Sequence, residues 1–306
     1  MASLPVFKRT RYAPTPSGYL HLGNVVSFVL TAGLAQRFGA RILLRIDDLD
    51  ADRVRPEYLA DIFETLRFLN LPWHEGPQTV QEQQTLFSQH LRLRQYYRAL
   101  DELQQQNLLF ACQCSRSQLA AFAAEGGYPG LCEHQNLSLQ QPGVAWRFKT
   151  PADGVAITMQ LPGAAAQTHS FPLSMRGFAV RGKNGMPAYQ LASVMDDAYF
   201  GVDLIVRGAD LLPSSLAQLY LAGFLKEATG FRQAAFFHHP LLHDDAGQKL
   251  SKSAGATSIH YLRRKGYSAA AVFTEAARMC GIAQPVQTWQ ELFALLPVTQ
   301  WLHTTS

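Results

Sequence analysis

Apolar and polar positions along the chain follow two different periods. From Arg9, the stretch RTRYAPTPSGYLHLGN passes from a short β-type run into a loop punctuated by proline and glycine. VVSFVLTAGLAQRF then repeats its apolar positions at helical spacing as far as Gly39. RILLRIDDLD is an apolar, β-rich run ending in acidic residues, and PEYLADIFETLRFLN reads as a helix with proline in its first turn. The order β-α-β-α predicts parallel strands with crossover helices, hence an α/β sheet. The Gln-rich residues 80–107 continue in helical pattern with no proline or glycine. Between about 140 and 185 the pattern breaks into VAWRFK, VAITMQL and FAVRG, which predicts an inserted antiparallel element. YQLASVMDD and VDLIVRGAD return to the composition of buried strands, and a helix is predicted from Pro213 to about Ala228. YLRRKGYSAAAVFTEAARMCG and TWQELFALL read as helices, and no internal repeat is visible.

Composition narrows the class. The 306 residues are 47% hydrophobic and 16% charged, which is ordinary for a globular chain and argues against disorder, collagen-like repeats and coiled coils. The early apolar run Val25 to Ala35 is too short to span a bilayer, and no signal-peptide n-region precedes it, so a cytoplasmic protein without membrane association is expected. A formal charge of +4 permits a phosphate-rich partner without requiring one. Of four cysteines, Cys112, Cys114 and Cys132 cluster while Cys280 stands alone, a pattern that suggests a metal and not a disulfide scaffold.

Three constellations carry candidate chemistry. Pro14-Thr15-Pro16-Ser17-Gly18 leads to His21-Leu22-Gly23-Asn24 at a helix start, where backbone N–H groups and the positive dipole end suit phosphate. Lys249-Leu250-Ser251-Lys252-Ser253 places two lysines in a loop of small polar residues, able to follow charge developing on phosphate. Cys112, Cys114 and Cys132 supply three of the four ligands structural zinc wants; Tyr128 and His134 are candidates for the fourth, and ligand chemistry alone favours imidazole.

Taken together, HLGN after a first strand and KLSKS far downstream resemble the paired HIGH and KMSKS signatures of class I aminoacyl-tRNA synthetases. The glutamyl branch is closer still. RYAPTPSGYLHLGN is similar to its RxAPSPxGxLHxG opening, RIDDLD to its R-[IM]-E-D-[TIL]-D, and AYQLASVMDD with LIVRGADLL to its Y-x-x-A-x-V-x-D-D and V-x-R-G-x-D-x-L block. The likeness runs from about residue 8 to residue 260. It implies a glutamate site of Arg11, Ala13, Thr15, Asp47, Tyr189 and Arg207. Guanidinium groups suit a dicarboxylic amino acid, and Asp47, one methylene shorter than the family's Glu, suits its ammonium. It further implies ATP contacts from His21, Gly23, Asn24, Lys249 and Lys252, with His21, Asn24 and Lys252 catalytic and Mg2+ accompanying the ATP. His238, His239 and His243 then belong to the strand entering the KLSKS loop and not to a metal site. Ser88-Gln89-His90 stands where the branch often has Ser-Gln-Arg.

CxC followed by YPGLC resembles the zinc motif of the short glutamyl-synthetase paralogues that modify queuosine, which implies one structural Zn2+ held by Cys112, Cys114, Tyr128 and Cys132. Only 53 residues follow Ser253 in the 306-residue sequence, which reads as room for a few helices and not for an anticodon-binding domain. The expectation is therefore a Rossmann-like class I catalytic core, divided into residues 1–107 and 186–253. Between them lies an inserted zinc-bearing subdomain of the acceptor-binding type at 108–185, and a short helical region follows at 254–306. Its implied partners are L-glutamate, ATP and queuosine-containing tRNA(Asp), with the protein a monomer. A compact synthetase charging a tRNA 3′ end and a non-catalytic binding protein are the alternatives. Arg263, Arg264 and Lys265 form a candidate phosphate patch.

Overall fold

A computed structural model describes residues 5–124, 127–151, 154–241 and 258–303. Its strands are β1 (Arg9–Tyr12), β2 (Arg41–Leu44), β3 (Leu109–Cys112), β4 (Ala145–Phe148), β5 (Ala156–Leu161), β6 (Ala164–Ser170), β7 (Ala179–Arg181), β8 (Leu204–Gly208) and β9 (Ala235–His239). Two compact units divide the chain: residues 1–91, 204–210 and 236–306 make the first, and 92–203 with 211–235 the second. Among the described residues no helix is long and apolar enough to cross a membrane.

In the first unit β1 and β2 pair in parallel, Arg9 opposite Arg41 and Tyr12 opposite Leu44. Like charges face each other at the start of that register, and Glu75 reconciles them, accepting from Arg9 Nε at 2.5 Å and Arg41 Nε at 2.6 Å. Both arginines hold the Glu75 carboxyl below its ordinary pKa, the Arg9 bond most strongly, against the upward pull of burial. The crossover is the helix Leu22–Phe38, buried on nearly all sides. Gly39 ends it at φ 74°, a left-handed conformation that suits glycine at a helix C-terminus. Gly33 lies under the Phe293 ring of the helix Trp289–Leu295. Strands β8 and β9, hydrogen-bonded neighbours, are buried almost throughout. The C-terminal residues form the helices Ile259–Arg264, Ala269–Met279 and Trp289–Leu295, as the sequence pattern predicts.

The second unit holds the antiparallel sheet β3-β4-β7 and the antiparallel hairpin β5–β6, the inserted element expected from the 140–185 pattern. Helices Leu93–Gln105 and Tyr189–Tyr199 are joined by a buried clasp. Asp196 accepts both Arg92 Nε at 2.8 Å and Arg92 Nη2 at 3.0 Å, and Tyr96 donates to it at 2.6 Å. Arg92, the first residue of this unit, belongs with the two helices it helps to join.

Three elements differ from the sequence reading. YQLASVMDD is a helix, not a strand; residues Leu191–Asp197 are all buried, so no polar face marks the helical period. The predicted helix Pro213–Ala228 ends at Ala222, with a separate helical turn at Lys226–Ala228. Residues 80–107 do not form one helix. The path breaks at Ser88 because Asp48 accepts from the Gln89 backbone N–H and from Gln83 Nε2, each at 2.8 Å, while Gln89 Oε1 takes the Leu49 N–H.

Candidate active site and candidate metal centre

Backbone pairing brings the two loops of the first unit together. The Tyr12 carbonyl accepts from Arg45 N at 2.9 Å, and the Pro14 carbonyl from Asp47 N at 3.0 Å. The run Ala13 to Thr15 therefore lies beside Asp47. Arg11 is buried on β1, and its Nη1 donates to the Val206 carbonyl on β8 at 3.3 Å. Arg207, the next residue, is equally buried, its guanidinium over the Phe236 ring at 5.6 Å. Both guanidinium-bearing residues are thus buried, and Arg11 is bonded to the backbone of the residue that precedes Arg207.

Asp47 is not simply open to a ligand. Its carboxylate accepts Arg45 Nε at 2.8 Å and Arg45 Nη2 at 3.1 Å, a planar fork of the kind arginine makes with carboxylates. An incoming ammonium would share it with Arg45. Sequence reading missed this partner, although Arg45 lies only two residues upstream.

The helix Leu22–Phe38 opens with a capping box of unusual composition. His21 Nδ1 accepts from the Gly23 N–H at 3.1 Å, Asn24 Oδ1 accepts from the His21 N–H at 3.0 Å, and the Asn24 N–H reaches the His21 carbonyl at 2.8 Å. First-turn N–H groups expected to await phosphate thus already have acceptors, and the His21 ring is oriented through Nδ1. The chain returns to this loop after the KLSKS region: Ser258 bridges to His21, the Ile259 N–H donates to the Leu20 carbonyl at 2.8 Å, and His260 stacks on Tyr19 at 4.2 Å. Lys249 and Lys252 of the KLSKS motif, with His243, lie outside the described residues. His239 is spent on structure. Its Nδ1 meets the Pro240 carbonyl at 2.9 Å, so that nitrogen carries the proton and Nε2 accepts from the Ser27 hydroxyl at 2.6 Å. Burial lowers its pKa. In the candidate phosphate patch Arg263 pairs with Asp61 and Glu64, and Lys265 lies over the Tyr261 ring.

In the second unit Tyr189 opens the helix Tyr189–Tyr199 and is half exposed. The same unit holds the cysteine cluster. Cys112, Cys114 and Cys132 are buried, their sulfurs all within 4.8 Å of one another, with Cys114 and Cys132 at 3.6 Å. Tetrahedral zinc–thiolate geometry asks for about 3.8 Å between sulfurs. The Tyr128 hydroxyl accepts the Cys132 N–H at 2.8 Å and adjoins the Cys132 and Cys112 thiols. His134 is exposed and not part of the cluster. Burial pushes the Cys114 thiol up to about 12, helped by its thiol neighbours. Burial acts on Cys132 in the same direction, but bonds from the Tyr128 hydroxyl and the Gln113 N–H outweigh it and hold that thiol below its ordinary value. A buried set of three sulfurs and a phenol oxygen fits a closed structural metal site.

The matched family is that of tRNA synthetases class I (E and Q), catalytic domain, over residues 8–305. The chain is 36% identical over 290 residues to a glutamyl-Q tRNA(Asp) synthetase of Nitratidesulfovibrio vulgaris, covering 90% of this chain and 86% of that one. It is 37% identical over 304 residues to a protein of the same name from Symbiobacterium thermophilum, covering 94% and 91%. The fold is similar to the crystal structure of glutamate-tRNA synthetase from Elizabethkingia anophelis, with a TM-score of 0.72 at 23% identity. That match covers 94% of this chain but 65% of the solved one.

Proposed function

The chain belongs to the class I tRNA synthetases of the E and Q type, and from that premise we propose that it activates L-glutamate with ATP and passes the glutamyl group to the queuosine base of tRNA(Asp). The enzyme is a ligase of the aminoacyl-tRNA synthetase type. The burial of both Arg11 and Arg207, with Arg11 bonded to the backbone beside Arg207, carries the choice of a dicarboxylic amino acid. Thr15 and Asp47, brought beside Ala13 by the backbone pairing, join the two arginines in the proposed glutamate site.

In the first step the glutamate α-carboxylate attacks the α-phosphate of ATP, and the bond to the departing pyrophosphate breaks. In the second a hydroxyl of the queuosine cyclopentenediol attacks the glutamyl carbonyl; AMP leaves and an ester forms. No protein nucleophile takes part. Arg11 and Arg207 hold carboxylate, His21 and Asn24 shape the ATP-facing helix start with Gly23, and Lys249 and Lys252 balance phosphate charge. Mg2+ arrives with ATP and offsets triphosphate charge. Zn2+ would be held by Cys112, Cys114, Tyr128 and Cys132, tying the CxC turn to the YPGLC segment; its contribution is to folding.

Glutamate-dependent ATP–pyrophosphate exchange in the absence of tRNA tests the first step. Queuosine-containing tRNA(Asp) then accepts labelled glutamate, and the same tRNA lacking the modification does not. Arg207→Ala is expected to raise the glutamate KM roughly 10- to 150-fold, as the loss of charged hydrogen bonds implies, with the ATP KM little changed. Absence of exchange with glutamate, or transfer to a tRNA 3′ end, overturns the proposal.

A further inference from the structure

Arg147 stands out as a buried cation. On β4 it sits opposite Phe110 of β3, and Cys112, two residues on, shares the face of Phe110, so Arg147 is directed to the same side as the cysteine cluster. Its guanidinium lies over the Tyr128 ring at 4.3 Å, and Nη1 donates to the Gly177 carbonyl. Nε is buried without a hydrogen-bond partner among the described residues. Among those residues no carboxylate forms an ion pair with it. Glu133, next to Cys132, instead flanks Gly130 together with Arg176.

A buried charge without a counter-charge is unfavourable, and native interiors supply one. Three thiolates outweigh one divalent cation, and a phenolate adds to the excess, so a metal bound at this cluster is a net anion lying against the guanidinium. We propose that Arg147 is the counter-charge of the metal centre: it balances the anionic complex through the face of Tyr128 and so sets how tightly the metal is held. The assignment rests on the zinc reading above and adds a positioning residue outside the ligand set.

The test uses the full chain as wild type, Arg147→Met and Arg147→Lys, stripped of metal and titrated with Zn2+ against a chromophoric chelator. Arg147→Met is expected to weaken zinc binding roughly 10- to 100-fold, the range seen when groups behind metal ligands are removed, and Arg147→Lys to recover most of the loss. Thermal midpoints with and without Zn2+ separate this role from packing. In the metal-free protein Arg147→Met should melt at or above the wild type, since an uncompensated charge is gone, and only in zinc should it melt lower. Equal zinc affinity in wild type and variant, or the same loss of midpoint in both states, overturns the assignment. Should Arg147→Met not fold, Arg147→Gln, which keeps a donor for Gly177, carries the same comparison. A wild type that binds no zinc defeats the metal reading itself, a result distinct from equal binding.

Discussion

Asp196→Asn removes the charge from the centre of the second unit's clasp while keeping shape. In the wild type this fully buried carboxylate takes two bonds from Arg92 and one from Tyr96, and the Arg92 side chain is itself only 7% exposed. An asparagine oxygen in the place of Oδ1 can keep the bonds from Arg92 Nε and Tyr96, but its NH2 group then faces Arg92 Nη2, where two donors meet and nothing accepts. Arg92 is left as a buried cation, a situation that costs about 3–5 kcal/mol. Screening offers little relief, because neither partner has appreciable contact with water. With a urea m value of about 2 kcal/mol/M, the transition of this unit moves down by roughly 1.5–2.5 M. Urea titration followed by far-UV circular dichroism measures that shift. The paired change Arg92→Met with Asp196→Leu, which removes both charges, should recover much of it. A shift under about 0.5 M for Asp196→Asn, or a pair no more stable than the single variant, would mean that the buried charge pair does not hold the clasp together.

Gly33→Ala places a methyl group about where the Phe293 ring already lies, its Cβ falling 2.1 Å from that ring, so the helix Trp289–Leu295 must move; a loss of about 1–3 kcal/mol is expected by chemical denaturation, and Phe293→Ala in the same chain should relieve the clash. His239 has its pKa lowered by burial below the 6.5 of an exposed imidazole, so the unfolded chain binds its proton first as the solution is acidified. Its contribution to stability is complete above pH 6.5 and is lost as pH falls through the lower folded value. Melting temperatures across that window should fall more steeply for the wild type than for His239→Asn, and parallel slopes would count against the buried neutral imidazole.

What could be read in the sequence is what local pattern determines. The β-α-β opening follows from apolar period and from Gly39, and the C-terminal helices follow from their own periodicity. HLGN and the arginines of the glutamyl-type motifs stand out because their spacing is fixed within short segments. The misread elements share a different cause. YQLASVMDD has no polar face because it is buried on all sides, and the helix at 80–107 is interrupted by Asp48, some forty residues away, which competes for the Gln89 N–H. A local pattern contains no trace of that partner. The His21 cap has no usual sequence signature, since histidine and asparagine take the places where serine and glutamate usually announce a capping box.

Arg147 shows how far this reasoning extends. In sequence it is one basic residue of VAWRFK, and nothing in that strand's pattern singles it out. The register with β3 supplies what the pattern lacks: opposite Phe110 and on the face of Cys112, Arg147 is buried over Tyr128. In the proposed arrangement the cysteine cluster and the arginine are two halves of one electrostatic unit. Three closely spaced thiols favour a cation to relieve their mutual repulsion when ionised, while the guanidinium favours an anion. A bound divalent metal meets both demands, whereas a permanently metal-free site would leave Arg147 buried with no carboxylate paired to it among the described residues. The difference in zinc dependence between wild type and Arg147→Met therefore measures the coupling between them, which no single-residue reading of the sequence contains.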